Sequence, residues 1–215
     1  MAIDPSKFHL FNVADTCSVW NILSSARLRS AAKDARCGFC ITSFVQYECL
    51  IKPRRSPTDA DHELRRRLQA EQRGGSFKAH SCGIGDLQDV KLLESRKRLG
   101  MGEISSIAFA MRTGQAVLTD DQKARKLAQA AGHPFVQTTP HLFSWLIFTR
   151  RLGDSDVSVV VNQHKVLEGD LALHLDRAYS LALECQLNAR PVVPAVPVAR
   201  PVDSAPKREK PESYN

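Results

Sequence analysis

From residue 8 to residue 146, short apolar runs alternate with stretches of helical periodicity, and few folds accommodate that pattern. "FHLFNVAD" (8–15) reads as a buried strand and "SVWNILSSARLRSAAKDA" (18–35) as the helix after it. "FCITSFV" is a second strand, followed by a short helix from about Gln46 to Ile51. A long amphipathic helix runs from Asp59 to about Arg73, with a helix-start signal in the preceding "KPRRSPT". "FKAHSCG" reads as a short strand, and a charged helix is expected near 86–98. In "GMGEISSIAFAMRTG", Ile104, Ile107, Ala108 and Met111 share one helical face. "AVLTDD" then reads as strand, "QKARKLAQAAG" as helix ending at Gly132, "PFVQT" as strand and "PHLFSWLIFTRRLG" as helix, with a last helical pattern over 168–188. Such alternation predicts an α/β chain: a three-layer α/β/α sandwich around a central, mainly parallel sheet.

The chain has 215 residues, 43% hydrophobic and 25% charged, which suits a globular protein with a sizeable core. No apolar run approaches the length of a membrane span, and "MAIDPSKFHLF" lacks a signal-peptide core, so a cytoplasmic protein with no membrane partner is expected. Six scattered cysteines then imply reduced thiols. Cys37 and Cys40 with His80 and Cys82 have the ligand types of a zinc site, but alternate residues of the strand holding Cys40 would point apart. From about Arg190 the composition changes: Pro191, Pro194, Pro197, Pro201, Pro206 and Pro211 remove backbone donors and favour an extended, disordered tail. The expected organisation is a main domain over 1–153, a helical extension over 154–190 packed on it, and the tail over 191–215.

A net charge of +7 and a pI near 9.3 favour a polyanionic partner. "KPRRS" (52–56), Arg65 to Arg67, and Lys91, Arg96, Lys97 and Arg98 are candidate contacts for it, with a solvated helix face as the alternative use. Set against this basic background, acids recur at strand–helix junctions. Asp15 ends the first strand, Glu48 lies beyond the second, Glu103 opens the helix after "GMG", and Asp120 and Asp121 end "AVLT". In a parallel sheet the carboxyl ends of the strands share one edge, where functional groups gather. Clustered carboxylates repel one another or take up protons, and a hard divalent cation such as Mg²⁺ or Mn²⁺ removes that conflict. Each acid taken singly has a local use as well, since Asp15, Asp120 or Asp121 suits a helix cap and Glu103 a helix dipole.

"NVADTCSVWNIL", "ITSFVQYECL", "GMGEISSIAFAM" and "AVLTDDQKARKLA", in this order and spacing, resemble the PIN-domain ribonucleases, especially the VapC-like toxins of bacterial toxin–antitoxin pairs. The resemblance covers about Phe8 to Leu146, roughly two thirds of the chain. It implies that the domain over 1–153 is a PIN-like, metal-dependent nuclease that hydrolyses RNA phosphodiesters, with Asp15, Glu48, Glu103 and one of Asp120 and Asp121 holding Mg²⁺ or Mn²⁺. Thr119 would help to position that site, with Thr16 assisting. Consecutive residues diverge in direction, so one of the pair is expected to be the inner residue, here Asp120, and the other, Asp121, to serve the helix start or the outer coordination shell. The resemblance further implies a small antitoxin partner and a homodimer, for which the apolar "HLFSWLIF" (141–148) offers a surface or, alternatively, core packing. The long segment between Glu48 and Glu103 and the extension beyond Gly153 depart from the compact form of the family.

Two other classes fit parts of this pattern. One is a PIN-like nucleic-acid-binding or scaffold protein without nuclease activity, whose acids do not assemble a working site. The other is a phosphoacceptor receiver domain, but that arrangement needs an acidic pair after the first strand, where this chain has Asp15 alone.

Overall fold

The computed structural model describes residues 3–83, 85–88 and 99–189. Strands β1 (Phe11–Ala14), β2 (Gly38–Thr42), β3 (Lys78–His80), β4 (Ala116–Leu118) and β5 (Val136–Gln137) form one sheet in the order β3-β2-β1-β4-β5. Every pairing is parallel; Val13 lies beside Cys40 on one side and Val117 on the other, and Val117 lies beside Val136. Around the sheet run α1 (Thr16–Ser24), α2 (Ala26–Asp34), α3 (Ser43–Gln46), a π-helical turn (Tyr47–Ile51), α4 (Asp59–Arg73), α5 (Met101–Thr113), α6 (Gln122–Ala130), α7 (Thr139–Phe148), α8 (Asp154–Val166) and α9 (Ala172–Ala189).

Side chains alternate across a strand, so each strand feeds two cores. Ala14, Phe39, Ile41 and Leu118 enter the core built with α1, α2, α4, α7, α8 and α9. Val13, Val117 and Val136 enter the other, built with α5 and α6. The fold is therefore α/β, an all-parallel sheet covered by helices on both faces. β1 lies in the middle, and the connections leaving it run to β2 on one side while β4 pairs on the other. A parallel sheet opens a crevice at such a switch in strand order, beyond the carboxyl ends of the strands.

Local chemistry sets the element ends. The stretch expected as one helix over 18–35 breaks at Ser25, whose backbone is extended; its Oγ accepts from Leu28 N at 3.1 Å and donates to Gln163 Oε1 at 2.8 Å. The strand over "FCITSFV" stops at Thr42, whose Oγ1 caps α3 by accepting from Val45 N. The short helix expected from Gln46 is the π-helical turn, which carries Glu48. Residues 85–88 are helical; the rest of the helix expected near 86–98, like the proline-rich segment 191–215, lies outside the described residues.

The segment after Gly153 forms two helices where one was expected, and both are built into the first core through Val160, Val161, Leu175, Ala178 and Ala182. Arg27 clamps the start of α8, donating from Nε and Nη2 to the two oxygens of Asp156 at 2.7 and 2.9 Å. In α7, Leu142, Phe143, Leu146 and Ile147 are all buried, so "HLFSWLIF" has the core-packing use that was its alternative reading. Cys37 packs into the first core and Cys40 against the second, on opposite faces of the sheet. Among the described residues, no helix is long and apolar enough to cross a membrane.

Candidate active site

The crevice beside β1 is where the sequence's acids stand. Asp15 follows β1 directly: its backbone N–H donates to Leu118 O on β4, and its Oδ1 caps α1 by accepting from Ser18 N at 2.8 Å. The side chain is fully buried and its Oδ2 has no hydrogen-bond partner. Burial pushes the carboxyl up to about 7, and the charge of Asp120 adds to the shift. The Thr119 hydroxyl nearby lowers it in part, although that hydroxyl is itself buried without a well-formed hydrogen bond.

Glu48 reaches the same place from the π-helical turn. Its Oε2 accepts from Thr16 Oγ1 at 2.5 Å and its Oε1 from Gly102 N at 3.2 Å. Glu103 arrives from the first turn of α5, with Oε2 buried and unpartnered. Burial raises its carboxyl, and Glu48 and Asp121 raise it further by repulsion, against the lowering effect of backbone N–H groups. The "GMG" glycines make this approach feasible. A Cβ on Gly102 would collide with the Glu48 carboxylate, and one on Gly100 would stand 2.6 Å from Glu103 Oε2.

The two adjacent aspartates divide their work. Asp121 is the cap of α6, its Oδ1 accepting from Ala124 N at 2.8 Å. Asp120 turns towards α1 and α7. Its Oδ1 accepts from Thr139 N at 2.8 Å, and its Oδ2 from Thr139 Oγ1 at 2.6 Å, Asn21 Nδ2 at 2.8 Å and Ser18 Oγ at 3.2 Å. Charge at Cys17 reports how closely the acids surround this opening. Its thiol is pushed up to about 12, first by loss of water and then by repulsion from Asp15, Glu103, Asp120 and Asp121.

Among the described residues, no group of three or more His, Cys, Asp or Glu side chains stands close enough together to hold a metal ion as arranged. The donor chemistry nevertheless suits a hard cation. The unpartnered buried oxygens are carboxylate oxygens of Asp15 and Glu103 and a hydroxyl, and both carboxyls are held above their ordinary values, first by burial and then by repulsion from neighbouring acids, Asp120 for Asp15 and Glu48 and Asp121 for Glu103. An unpartnered buried acceptor is costly, and a cation would relieve that cost.

Ser18, Asn21 and Thr139, which orient Asp120, were not among the residues the sequence singled out. Ser18 and Asn21 are three apart on α1 and so share a face, which is a legible signal; Thr139 comes from a distant element and leaves none. Of the expected cationic contacts, Arg66 and Arg67 both donate to Glu63, and Arg67 also donates to Leu23 O and Ser24 O at the end of α1. Arg54 pairs with Asp61 and lies over the Trp20 ring, and Arg65 donates to Lys52 O. Lys52, Arg54 and Arg55 remain exposed. Lys91, Arg96, Lys97 and Arg98 lie outside the described residues. A scan of protein-family models found no match for this chain, and searches of curated proteins and of solved structures found none either.

Proposed function

We propose that the chain is a metal-dependent nuclease acting on RNA phosphodiesters, with Asp15, Glu48, Glu103 and the Asp120/Asp121 pair as its acidic centre. The observation that carries this reading is Asp15: a fully buried carboxylate with an unpartnered oxygen, at the carboxyl edge of a parallel sheet and with the charge of Asp120 acting on it. The cap of α1 needs only an acceptor, and burying a charge there costs stability unless something positive meets it.

Asp15 Oδ2 and Glu103 Oε2 would be the inner oxygens for Mg²⁺ or Mn²⁺, with Glu48 beside them. When bound, such an ion supplies a water of lowered pKa for in-line attack on phosphorus and positive charge against the leaving oxygen. The chain's own residues do the holding. Ser18 N fixes Asp15 from one side. Thr16 and Gly102 N fix Glu48. Ser18, Asn21 and Thr139 lock Asp120, so its charge acts on Asp15 from a set position. Asp121, with one oxygen engaged at the cap, faces Glu103 electrostatically. The expectation that Asp120 is the inner ligand therefore gives way, within this proposal, to Asp120 as an orienting acid, its oxygens already taken by donors. The toxin assignment belongs to the same proposal: a small partner that brings a basic side chain to these acids would silence cleavage on co-expression.

The saturation of Asp120 favours a second reading, in which internal hydrogen bonds satisfy the acids and the protein binds nucleic acid without cutting it. One experiment separates the two. Wild type and Asp15→Asn are incubated with a panel of RNAs in Mn²⁺, Mg²⁺ or excess EDTA. The nuclease reading expects cleavage by wild type with either metal and at least a hundred-fold loss (about 10²) in Asp15→Asn, the scale of removing one charge-stabilising group. Cleavage that persists in EDTA, or in Asp15→Asn, would sink it.

A further inference from the structure

Asp120, alone among the acids of the proposed centre, also stands in the wall of a pocket that none of the expected contacts included. The pocket measures about 530 Å³ and lies between α6, β5, the start of α7 and α9. That size falls within the range of small-ligand sites and admits one nucleotide. Its floor is apolar, from Val136, Leu171 and Ala178, and its rim carries Arg125, Lys126, His174 and Arg177.

Several arginines elsewhere in the molecule are already engaged. Arg27, Arg29, Arg54, Arg66, Arg67 and Arg112 all pair with carboxylates. Among the described residues, Arg125, Lys126 and Arg177 make no ion pair. Arg125 is positioned all the same, because its Nη1 donates to Asp120 O at 2.7 Å and so ties the rim to the acid beside it. Lys126 and Arg177 are exposed and stand on different helices, α6 and α9. Like charges gathered at one mouth, on separate elements and without internal partners, fit an anion that comes from outside.

On the reading of the acidic centre as a nuclease, we infer that this pocket holds a nucleotide of the substrate strand next to the bond that is cut. Its base would lie on the apolar floor and its phosphate against Arg125, Lys126 and Arg177. A polynucleotide meets both demands at once, since it alternates apolar faces with charges. An acidic peptide would meet the rim and leave the floor uncovered. The pocket is concave and the base must enter it unpaired, so the strand is single. α9 supplies His174, Arg177 and Ala178, which gives the helices after Gly153 a part in substrate selection as well as in the core.

The test measures binding in excess EDTA, where nothing is cut. A fluorescently labelled single-stranded 12-nucleotide RNA, the same RNA as duplex, and a poly-glutamate peptide are titrated with the full-length protein and with Lys126→Ala/Arg177→Ala. Wild type is expected to bind the single strand best. The double variant should bind it about ten-fold more weakly, and its plot of log affinity against log salt should be shallower by about 1.4, at roughly 0.7 for each phosphate no longer neutralised. Both replaced side chains are exposed, so melting temperature and Mn²⁺ binding should stay as in wild type; Arg177→Lys should recover part of the affinity. Equal affinity in wild type and the double variant overturns the proposal. So does a duplex bound as tightly as the single strand, a peptide bound in preference to RNA, or a wild type that binds no RNA. Failure of the nuclease reading shows differently, as an RNA that is bound with pocket-dependent affinity yet never cut in Mn²⁺.

Discussion

Asp15 carries two obligations that pull apart. As the cap of α1 it needs only an acceptor, and as a buried carboxylate with a free oxygen it holds a charge the core disfavours. Asparagine caps as well as aspartate, and its amide can donate towards the unpartnered Thr119 hydroxyl. Asp15→Asn is therefore expected to raise the stability of the metal-free protein by about 0.5–2 kcal/mol while abolishing cleavage, and urea unfolding checks the first half. A loss of stability in EDTA would show that the charge is already compensated inside the fold. Histidines act on pH dependence with the opposite sign. His164 is buried between Ser24 Oγ at Nδ1 and Leu171 N, which donates to Nε2, so the ring is neutral with its proton on Nδ1. Burial lowers the affinity of His133, His141 and His164 for protons below the ordinary 6.5. The unfolded chain then binds more protons just below that value, so their stabilisation is complete above pH 6.5 and fades as pH falls. Asp15, raised to about 7, works the other way: its penalty is absent below 3.8 and grows until about 7. Thermal melts from pH 8 to pH 5 should fall more steeply for Asp15→Asn than for wild type, and less steeply for His164→Gln.

At the scale of elements, the joint between α2 and the end of α4 rests on one cation. Arg29 is buried, its guanidinium lies 5.6 and 5.5 Å from the Phe39 and Phe77 ring centres, and its Nη2 donates to Glu71 Oε2 at 2.6 Å and Ser76 Oγ at 2.8 Å. Glu71→Ala leaves that charge without its counter-ion and should cost about 3 kcal/mol, read from the urea midpoint at unchanged slope. Elements of this kind were partly legible in the sequence. The inner strands β1, β2 and β4 announce themselves as apolar runs between turn residues, because a strand covered on both faces has no polar side to hide it; the edge strand β3, Lys-Ala-His, carries a weaker signal. The break at Ser25 was not legible, because the hydroxyl that ends one helix and starts the next draws on Gln163, far along the chain. The π-helical turn carrying Glu48 was invisible for a related reason: its hydrogen-bond register differs from an α-helix by one residue, and periodicity cannot resolve that over five residues. α8 escaped because "DVSVVVNQH" has β-branched residues that blur its helical period. The acids themselves were readable as junction residues, and so were the local caps at Asp15 and Asp121, whereas the donors to Asp120 and Glu48 come from elements far away in sequence.

Across the whole molecule, the helices after Gly153 are part of the fold. α7 packs against α9, and removing residues 154–215 would expose Leu142, Phe143 and Leu146 along with the sheet face behind them. A chain ending at Gly153 is therefore expected to be insoluble or to bind hydrophobic dyes, checked by expression and dye fluorescence; a soluble, cooperatively melting fragment would contradict this. The strand order has a consequence for synthesis. β1 is made first but occupies the middle of the sheet, and its neighbour β4 lies about a hundred residues downstream. A nascent chain that has emerged only as far as Arg112 can present Asp15, Glu48 and Glu103, but the edge that closes the crevice has yet to arrive. The catalyst proposed here would be silent through the first half of its own translation, because the order of the strands works as a timer that runs until β4 has emerged.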